Sequence, residues 1–266
     1  MAEEPEEGTR LTAAQIHENV LRPAEHEIRR PAAALLLSAL AAGLVIGFSC
    51  LAAAFAASVV PEPYKHAAAA AGYPLGFIFV IMARSELFTE NTLVPVVPLL
   101  ERRDLETLGL VARIWALLLI GNLVGTAVFA LVLARTDLLR PEYAWELLRI
   151  SRQATEAGFG HIVFAGVFAG WLMALLAWLL ASTTSSLAQI VLIWLCTAPI
   201  SALHFRHSIV GSTEAFYRAA LADASWGAML WGFVTPAVLG NAIGGVLLVA
   251  LLNYGQVLAD RSVERV

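Results

Sequence analysis

Residues 84 to 92 read Arg84-Ser-Glu-Leu-Phe-Thr-Glu-Asn-Thr92, and they set three charges, Arg84, Glu86 and Glu90, inside an otherwise apolar region. Uncharged sequence runs from Ala67 to Ala83 before them and from Asn91 to Leu100 after them. A charge at the centre of a spanning helix costs roughly 2.5–3.5 kcal/mol on insertion scales, so such groups face a bundle interior or a wet cavity. Pro95 and Pro98 follow closely and disfavour an uninterrupted helix. The stretch therefore predicts a broken transmembrane helix whose gap lines a pathway.

The whole chain agrees with a membrane setting. Of its 266 residues 59% are hydrophobic and only 14% are charged, where a soluble domain carries about 25% charged residues. The net charge of −4 comes without a basic tract, which speaks against nucleic acid as a partner. Cys50 and Cys196 both lie in apolar runs without metal-type spacing and read as buried bystanders. No metal and no cofactor are expected. The first apolar run extends uncharged from Pro31 to Pro61, too long for a signal-peptide core of roughly 7–15 residues. It reads as an uncleaved first span, even though Ala54-Phe-Ala56 looks like a cleavage site in isolation.

Taken in order, residues 1–30 form an acidic, then amphipathic, cytoplasmic segment. Residues 1–10 are expected to be disordered, and 11–30 suit a short helix at the membrane face, interrupted near Pro23. Residues 31–256 form the membrane domain and 257–266 a short tail. Six apolar regions of about the 20 residues a span needs run near 31–60, 67–103, 112–134, 158–181, 187–221 and 226–255. The fifth is broken like the second: His204-Phe-Arg-His207 interrupts it, after Pro199 and before Gly211 and Glu214.

An internal repeat links the two breaks. Gly121-Asn-Leu-Val-Gly125 matches Gly240-Asn-Ala-Ile-Gly244 at an offset of 119 residues. The same offset carries the first span onto the fourth and the second onto the fifth, with Phe88 opposite His207 and Leu87 opposite Arg206. Three spans per half force the halves into opposite orientations, the inverted-repeat plan in which discontinuous helices meet near the midplane. The expected fold is thus an all-α integral membrane protein, six transmembrane helices in two inverted three-helix repeats, with the second and fifth broken as in aquaporins. With the N-terminus inside, nine basic residues fall on inner segments and six on outer ones, which favours cytoplasmic termini.

Glu86-Leu-Phe-Thr89 in a broken second span, His207-Ser208 in a broken fifth and the paired Gly-Asn-x-x-Gly segments together resemble the formate/nitrite transporter family, over roughly residues 11–256. The extended run Leu-Phe-Thr-Glu-Asn-Thr looks closer to a little-characterised inner-membrane branch than to the well-known formate channels. The resemblance implies a pore through each protomer, a homopentamer in the inner membrane, and small monovalent anions such as formate, nitrite or hydrosulfide as substrate. It places the loop Leu, Phe and Thr of the family on Leu87, Phe88 and Thr89, its central His on His207, and apolar constrictions on Tyr73, Phe77 and Ile200. Three departures stand out: Arg206 takes the place of an acidic residue, Gly170 that of an Asn partner of the His, and the outer-vestibule Lys is missing, since Lys65 lies in another loop.

Physically, His207 can lend a charge or a proton near neutrality, and a proton passed to a weak-acid anion would lower its desolvation barrier. The competing reading is a buried, hydrogen-bonded structural imidazole. Thr89 can offer a hydroxyl to the same substrate, and Leu87 and Phe88 can narrow the lumen. The charges Arg84, Glu86, Glu90, Arg206 and Glu214 read as braces between the loops, with Arg206 expected to pair with Glu86 or Glu90. A cationic attractor for anions is the competing use of Arg206. No nucleophile elbow, phosphate loop or dinucleotide fingerprint occurs, and an enzyme is not expected. The remaining alternatives are a pore for small neutral solutes and a transport-inactive structural or sensory pentamer.

Overall fold

The computed structural model describes residues 10–263. Most of the acidic N-terminal stretch, and Arg265 among the basic residues used for orientation, lie outside the described residues. Every element among the described residues is helical. Helix α1 (Ala13–Glu27) opens on a capping box in which Thr12 and Gln15 exchange side-chain and backbone bonds. Pro23 lies inside it without interrupting it, contrary to expectation. The buried face His17, Val20 and Ala24 holds the helix against its neighbours, and this packing outweighs the one donor that proline lacks.

Among the described residues five helical runs are long and apolar enough to cross a membrane: Ala32–Ser58, Glu62–Met82, Leu105–Arg135, Phe159–Leu180 and Trp226–Ala259. Ser186–Ala202 is a shorter apolar helix. In chain order these comprise α2 (Ala32–Ser58), α3 (Lys65–Gly72), α4 (Pro74–Met82), α5 (Val96–Arg102) and α6 (Leu105–Arg135). The second half holds α7 (Pro141–Thr155), α8 (Phe159–Leu180), α9 (Ser186–Ala202) and α10 (Ser208–Ala220). The last run is α11 (Trp226–Met229), α12 (Thr235–Ile243) and α13 (Leu251–Val263), joined by π-helical turns. Helicity thus continues as far as Val263 in the segment expected to be a tail, and Val257 packs in one cluster with Val20 of α1. Helix α7 has no counterpart among the apolar regions, because its amphipathic sequence carries Glu142, Glu146, Arg149 and Arg152.

Both expected breaks are present. Helix α4 ends at Met82 and α9 at Ala202, and each is followed by a residue forced into the left-handed region, Arg84 at φ 57° and His204 at φ 54°. The backbone bonds of the two turns repeat one another: Ala83, Arg84 and Ser85 donate to Phe79, Ile81 and Val80, as Leu203, His204 and Phe205 donate to Pro199, Ser201 and Ile200. The offset through the breaks is therefore 120, one more than the sequence repeat suggests, and it returns to 119 at the left-handed pair Arg103 and Ala222. The first half absorbs the extra residue between its break and Arg103, where a 3-10 turn at Glu90–Thr92 and the short α5 replace the continuous α10. In consequence Leu87, not Phe88, is the counterpart of His207, and Glu86, not Leu87, is the counterpart of Arg206.

Helix crossings tie each half together. A methyl added at Gly43 of α2 would come within 2.3 Å of the Asn122 carbonyl oxygen of α6, and one at Gly170 of α8 within 2.1 Å of the Asn241 carbonyl oxygen of α12. In lipid such close backbone approach replaces the hydrophobic drive between helices. Gly43 and Gly170 differ by 127 residues, so the first and fourth spans correspond at a larger offset than the motifs alone imply. The resemblance puts an Asn partner of the His at Gly170. At that position the chain spends its side-chain space on the crossing instead.

Candidate functional site

Asn122 and Asn241 build the two breaks by the same set of bonds. Asn122 Oδ1 accepts from Phe88 N–H at 2.8 Å, while its Nδ2 donates to the carbonyls of Ala39 at 2.8 Å and Glu86 at 2.9 Å. Asn241 Oδ1 accepts from Ser208 N–H at 2.8 Å, and its Nδ2 donates to Gly166 O and Arg206 O, both at 2.8 Å. A broken helix at membrane depth leaves peptide groups that no water reaches, and each must find a partner inside the protein. One amide in each half supplies two of those partners, and its third bond ties the break to the neighbouring continuous helix, α2 or α8. This role was missed in the sequence, though its signal was present: the Asn is the polar residue common to both Gly-Asn-x-x-Gly segments.

The first break is braced further. Thr92 Oγ1 donates to Thr89 O at 2.8 Å, Asn91 Nδ2 to Leu87 O at 3.0 Å, Trp115 Nε1 to Asn91 O at 2.9 Å, and Ser38 Oγ accepts from Glu86 N–H at 3.0 Å. The Glu86 carboxylate takes Arg30 at 2.6 Å and Asn91 at 2.9 Å. Its cation thus comes from the segment between α1 and α2 and not from Arg206, which corrects the expected pairing. Arg84 is exposed and Glu90 half-buried, and neither belongs to an ion pair within 4.0 Å among the described residues.

The breaks meet at Thr89 and His207, whose Oγ1 and Nε2 atoms lie 2.9 Å apart. Both side chains are buried. His207 is also the N-cap of α10, its Nδ1 accepting from Val210 N–H at 3.2 Å. An imidazole nitrogen that accepts carries no proton, so the hydrogen bonding assigns the neutral ring proton to Nε2, which donates to Thr89 Oγ1. The Thr89 hydroxyl proton remains available to a third group.

Around this contact the expected constriction residues gather. Phe77 stands edge-on to the imidazole at 4.9 Å between ring centroids, and Tyr73 follows at 5.4 Å from Phe77. Ile200 is fully buried. Tyr73, Ile200 and His207 line a cavity of about 50 Å3 that continues to Arg206, Glu214 and His204. Leu87 is buried beside Thr89, whereas the ring of Phe88 turns to Trp115 of α6 at 6.0 Å. Cys50 and Cys196 are free and buried. Among the described residues no group of three His, Cys, Asp or Glu side chains could hold a metal.

The side of the bundle that carries α7 is held by ion pairs. Lys65 contacts Glu146, which also accepts from Arg149 at 2.7 Å. Asp223, in the loop after α10, takes Arg152 and Arg218, with Arg218 Nε at 2.7 Å. Those hydrogen bonds, the one from Arg152 first, hold the Asp223 carboxyl down at about 2.

Two half-helix breaks facing each other inside an apolar bundle define a membrane transport protein of the discontinuous-helix class. The chain matches the family described as formate/nitrite transporter over residues 14–255, and it belongs to that family. It is 34% identical over 254 residues, 95% of this chain and 81% of the relative, to inner membrane protein YfdC of Escherichia coli. In structure it is similar to an FNT family ion channel, with TM-score 0.77 and 22% identity, covering 92% of this chain and 98% of that one. It is likewise similar to a pentameric formate channel with formate bound, with TM-score 0.71 and 20% identity, covering 85% and 98%.

Proposed function

We propose that this chain is a channel for small monovalent anions of the formate or nitrite type, with one path through each protomer at the Thr89–His207 contact. The observation that carries the reading is the juxtaposition of two hydrogen-bond donors, His207 Nε2–H and the Thr89 hydroxyl, at the point where the two breaks meet. Family membership supports the same substrate class. An anion leaving water must recover hydrogen bonds inside the bundle, and the Thr89 hydroxyl, polarised by His207 Nε2–H, supplies one without the cost of a fixed buried charge.

His207 acts in this reading as a neutral donor. An imidazolium would present N–H groups on both nitrogens, so Val210 N–H would face a donor and α10 would lose its cap. Transient proton transfer to the substrate, the role the sequence suggests, is therefore coupled to loosening the first turn of α10. Tyr73, Phe77 and Ile200 exclude bulk water on one side of the contact, and Leu87 does so beside Thr89. Glu86 braces its loop through Arg30, and Arg84 and Glu90 belong to the same loop.

The protein functions as a homopentamer in the inner membrane, with both termini cytoplasmic, and as a transporter rather than an enzyme. The structural likeness to a pentameric channel supports the assembly, and the relative named an inner membrane protein supports the location. Contact between His17 of α1 and Tyr254 of α13, at 5.6 Å between rings, puts both ends of the described chain on one side of the bundle. The reading keeps residues 1–30 ahead of the membrane domain, 31–256 within it and 257–266 after it.

The test is flux into proteoliposomes. Formate and nitrite are expected to enter far faster than into protein-free vesicles, while an uncharged solute of similar size is not accelerated. Acceleration of the neutral solute alone would replace the anion reading by a neutral-solute pore. Failure of every solute would leave a structural or sensory assembly.

A further inference from the structure

The two breaks place opposite charges at equivalent positions, Glu86 and Arg206, and treat them differently. Glu86 is saturated by Arg30 and Asn91. Arg206 is 7% exposed, its terminal nitrogen donates to Gln153 O at 3.1 Å, and its Nε is buried without a partner. Arg206 belongs to no ion pair within 4.0 Å among the described residues. A guanidinium keeps its charge under any ordinary condition, and a buried charge without a counter-ion is expensive. Arg206 also lines the cavity that leads to His207.

That cavity, about 50 Å3, exceeds the ~10–15 Å3 that one water requires on the same kind of measure. It has room for one three-atom anion. We propose that Arg206 is the docking group of an anion site in this cavity, one step outside His207, which takes a single small planar monovalent oxoanion on its guanidinium. Glu214 lines the same cavity, is 6% exposed and forms no ion pair within 4.0 Å among the described residues. Its carboxyl beside the guanidinium tempers the attraction, as passage requires a site strong enough to fill and weak enough to empty. The anion would pass from Arg206 to the paired donors of His207 and Thr89. This site rests on the channel reading and adds a specificity-determining residue to it. The exposed rings of His66 and His204, stacked at 4.6 Å, stand at the same cavity.

The experiment compares wild type, Arg206→Gln, Arg206→Lys and Glu214→Gln in two ways: initial formate flux against formate concentration in proteoliposomes, and the formate-dependent rise of Tm in detergent. A lost charge-assisted hydrogen bond of about 1.5–3 kcal/mol corresponds to roughly a 10- to 100-fold weaker site. Arg206→Gln is therefore expected to raise the half-saturating formate concentration by at least about tenfold, to change the maximal rate much less, and to abolish the Tm rise. Arg206→Lys, which keeps the charge and loses the fork, should fall between Gln and wild type. Glu214→Gln should lower the half-saturating concentration. Should Arg206→Gln fail to reconstitute, the lysine variant decides by the same readouts. An unchanged half-saturation together with an unchanged Tm rise in the arginine variants overturns the site and leaves the channel standing. A formate-dependent Tm rise lost in Arg206→Gln, in a wild type that passes no anion, supports the site and overturns the channel.

Discussion

The break after α4 and the break after α9 share a backbone and differ in what their side chains do. Each begins with a left-handed residue, repeats three backbone bonds and is pinned by one asparagine from the helix closing its half. The first is then filled with internal bonds from Ser38, Asn91, Thr92 and Trp115, and its carboxylate is neutralised by Arg30. The second keeps its polar groups for the cavity, with His207 touching Thr89 and Arg206 holding a free donor. One copy of a duplicated turn is closed by internal bonds, and the other leaves polar groups on the cavity.

The largest expected effect tests whether the shared frame is real. Asn241→Ala removes the acceptor of Ser208 N–H and the donors to Gly166 and Arg206. Each buried group left unsatisfied costs about 1–3 kcal/mol, so the variant should lose several kcal/mol and fail to give a monodisperse species in detergent. Asn122→Ala should fail to the same degree. Tolerance of one and not the other would break the equivalence of the two turns.

A second variant restores what the family resemblance leads one to expect. Gly170→Asn puts the absent side chain back, yet its Cβ would fall 2.1 Å from the Asn241 carbonyl oxygen. Overpacking of this kind typically costs about 1–3 kcal/mol. A lowered Tm without gain of flux is expected. A variant as stable as wild type and faster in transport would show that α8 and α12 can separate to admit the side chain.

These two cases also mark how far the sequence could be read. The breaks were legible because Arg84, Glu86, Glu90, His204, Arg206 and His207 interrupt apolar runs, and charge at membrane depth has few innocent explanations. The duplication was legible from the Gly-Asn-x-x-Gly pair. Its register was not, because the first half holds one more residue between its break and Arg103, and a residue count cannot say where a turn absorbs the excess. The partner of Glu86 was hidden for a different reason: Arg30 is 56 residues away and reaches it only once α2 packs against α4 and the break that follows it. Helix α7 escaped notice because its face is amphipathic rather than apolar. The capping use of His207 depends on a backbone angle that no motif encodes.

A smaller effect concerns the ion pair of Asp223 with Arg152 and Arg218. With Asp223 held at about 2, first by its hydrogen bond to Arg152 and then by Arg218, its folded value lies below the roughly 3.9 of a free aspartate. Its contribution is present in full above pH ~4 and is lost as pH falls towards 2. Asp223→Asn should lower the Tm modestly at pH 7, and the gap to wild type should close as the pH approaches 3. A gap independent of pH would assign the effect to packing. Anion flux near neutrality should be unaffected, since the group lies outside the path.

The most direct test of the account is formate flux through His207→Asn. An asparagine at the N-cap accepts from the N–H that His207 Nδ1 now caps, so α10 and the fold should survive. The substitution removes the Nε2–H that meets Thr89, together with the ring edge that packs on Phe77. Flux is predicted to fall by at least about tenfold, the equivalent of one hydrogen bond of about 1.4 kcal/mol or more, with the Tm close to that of wild type. Wild-type flux in this variant would mean that His207 is a helix cap and nothing more, and that the anion passes without it.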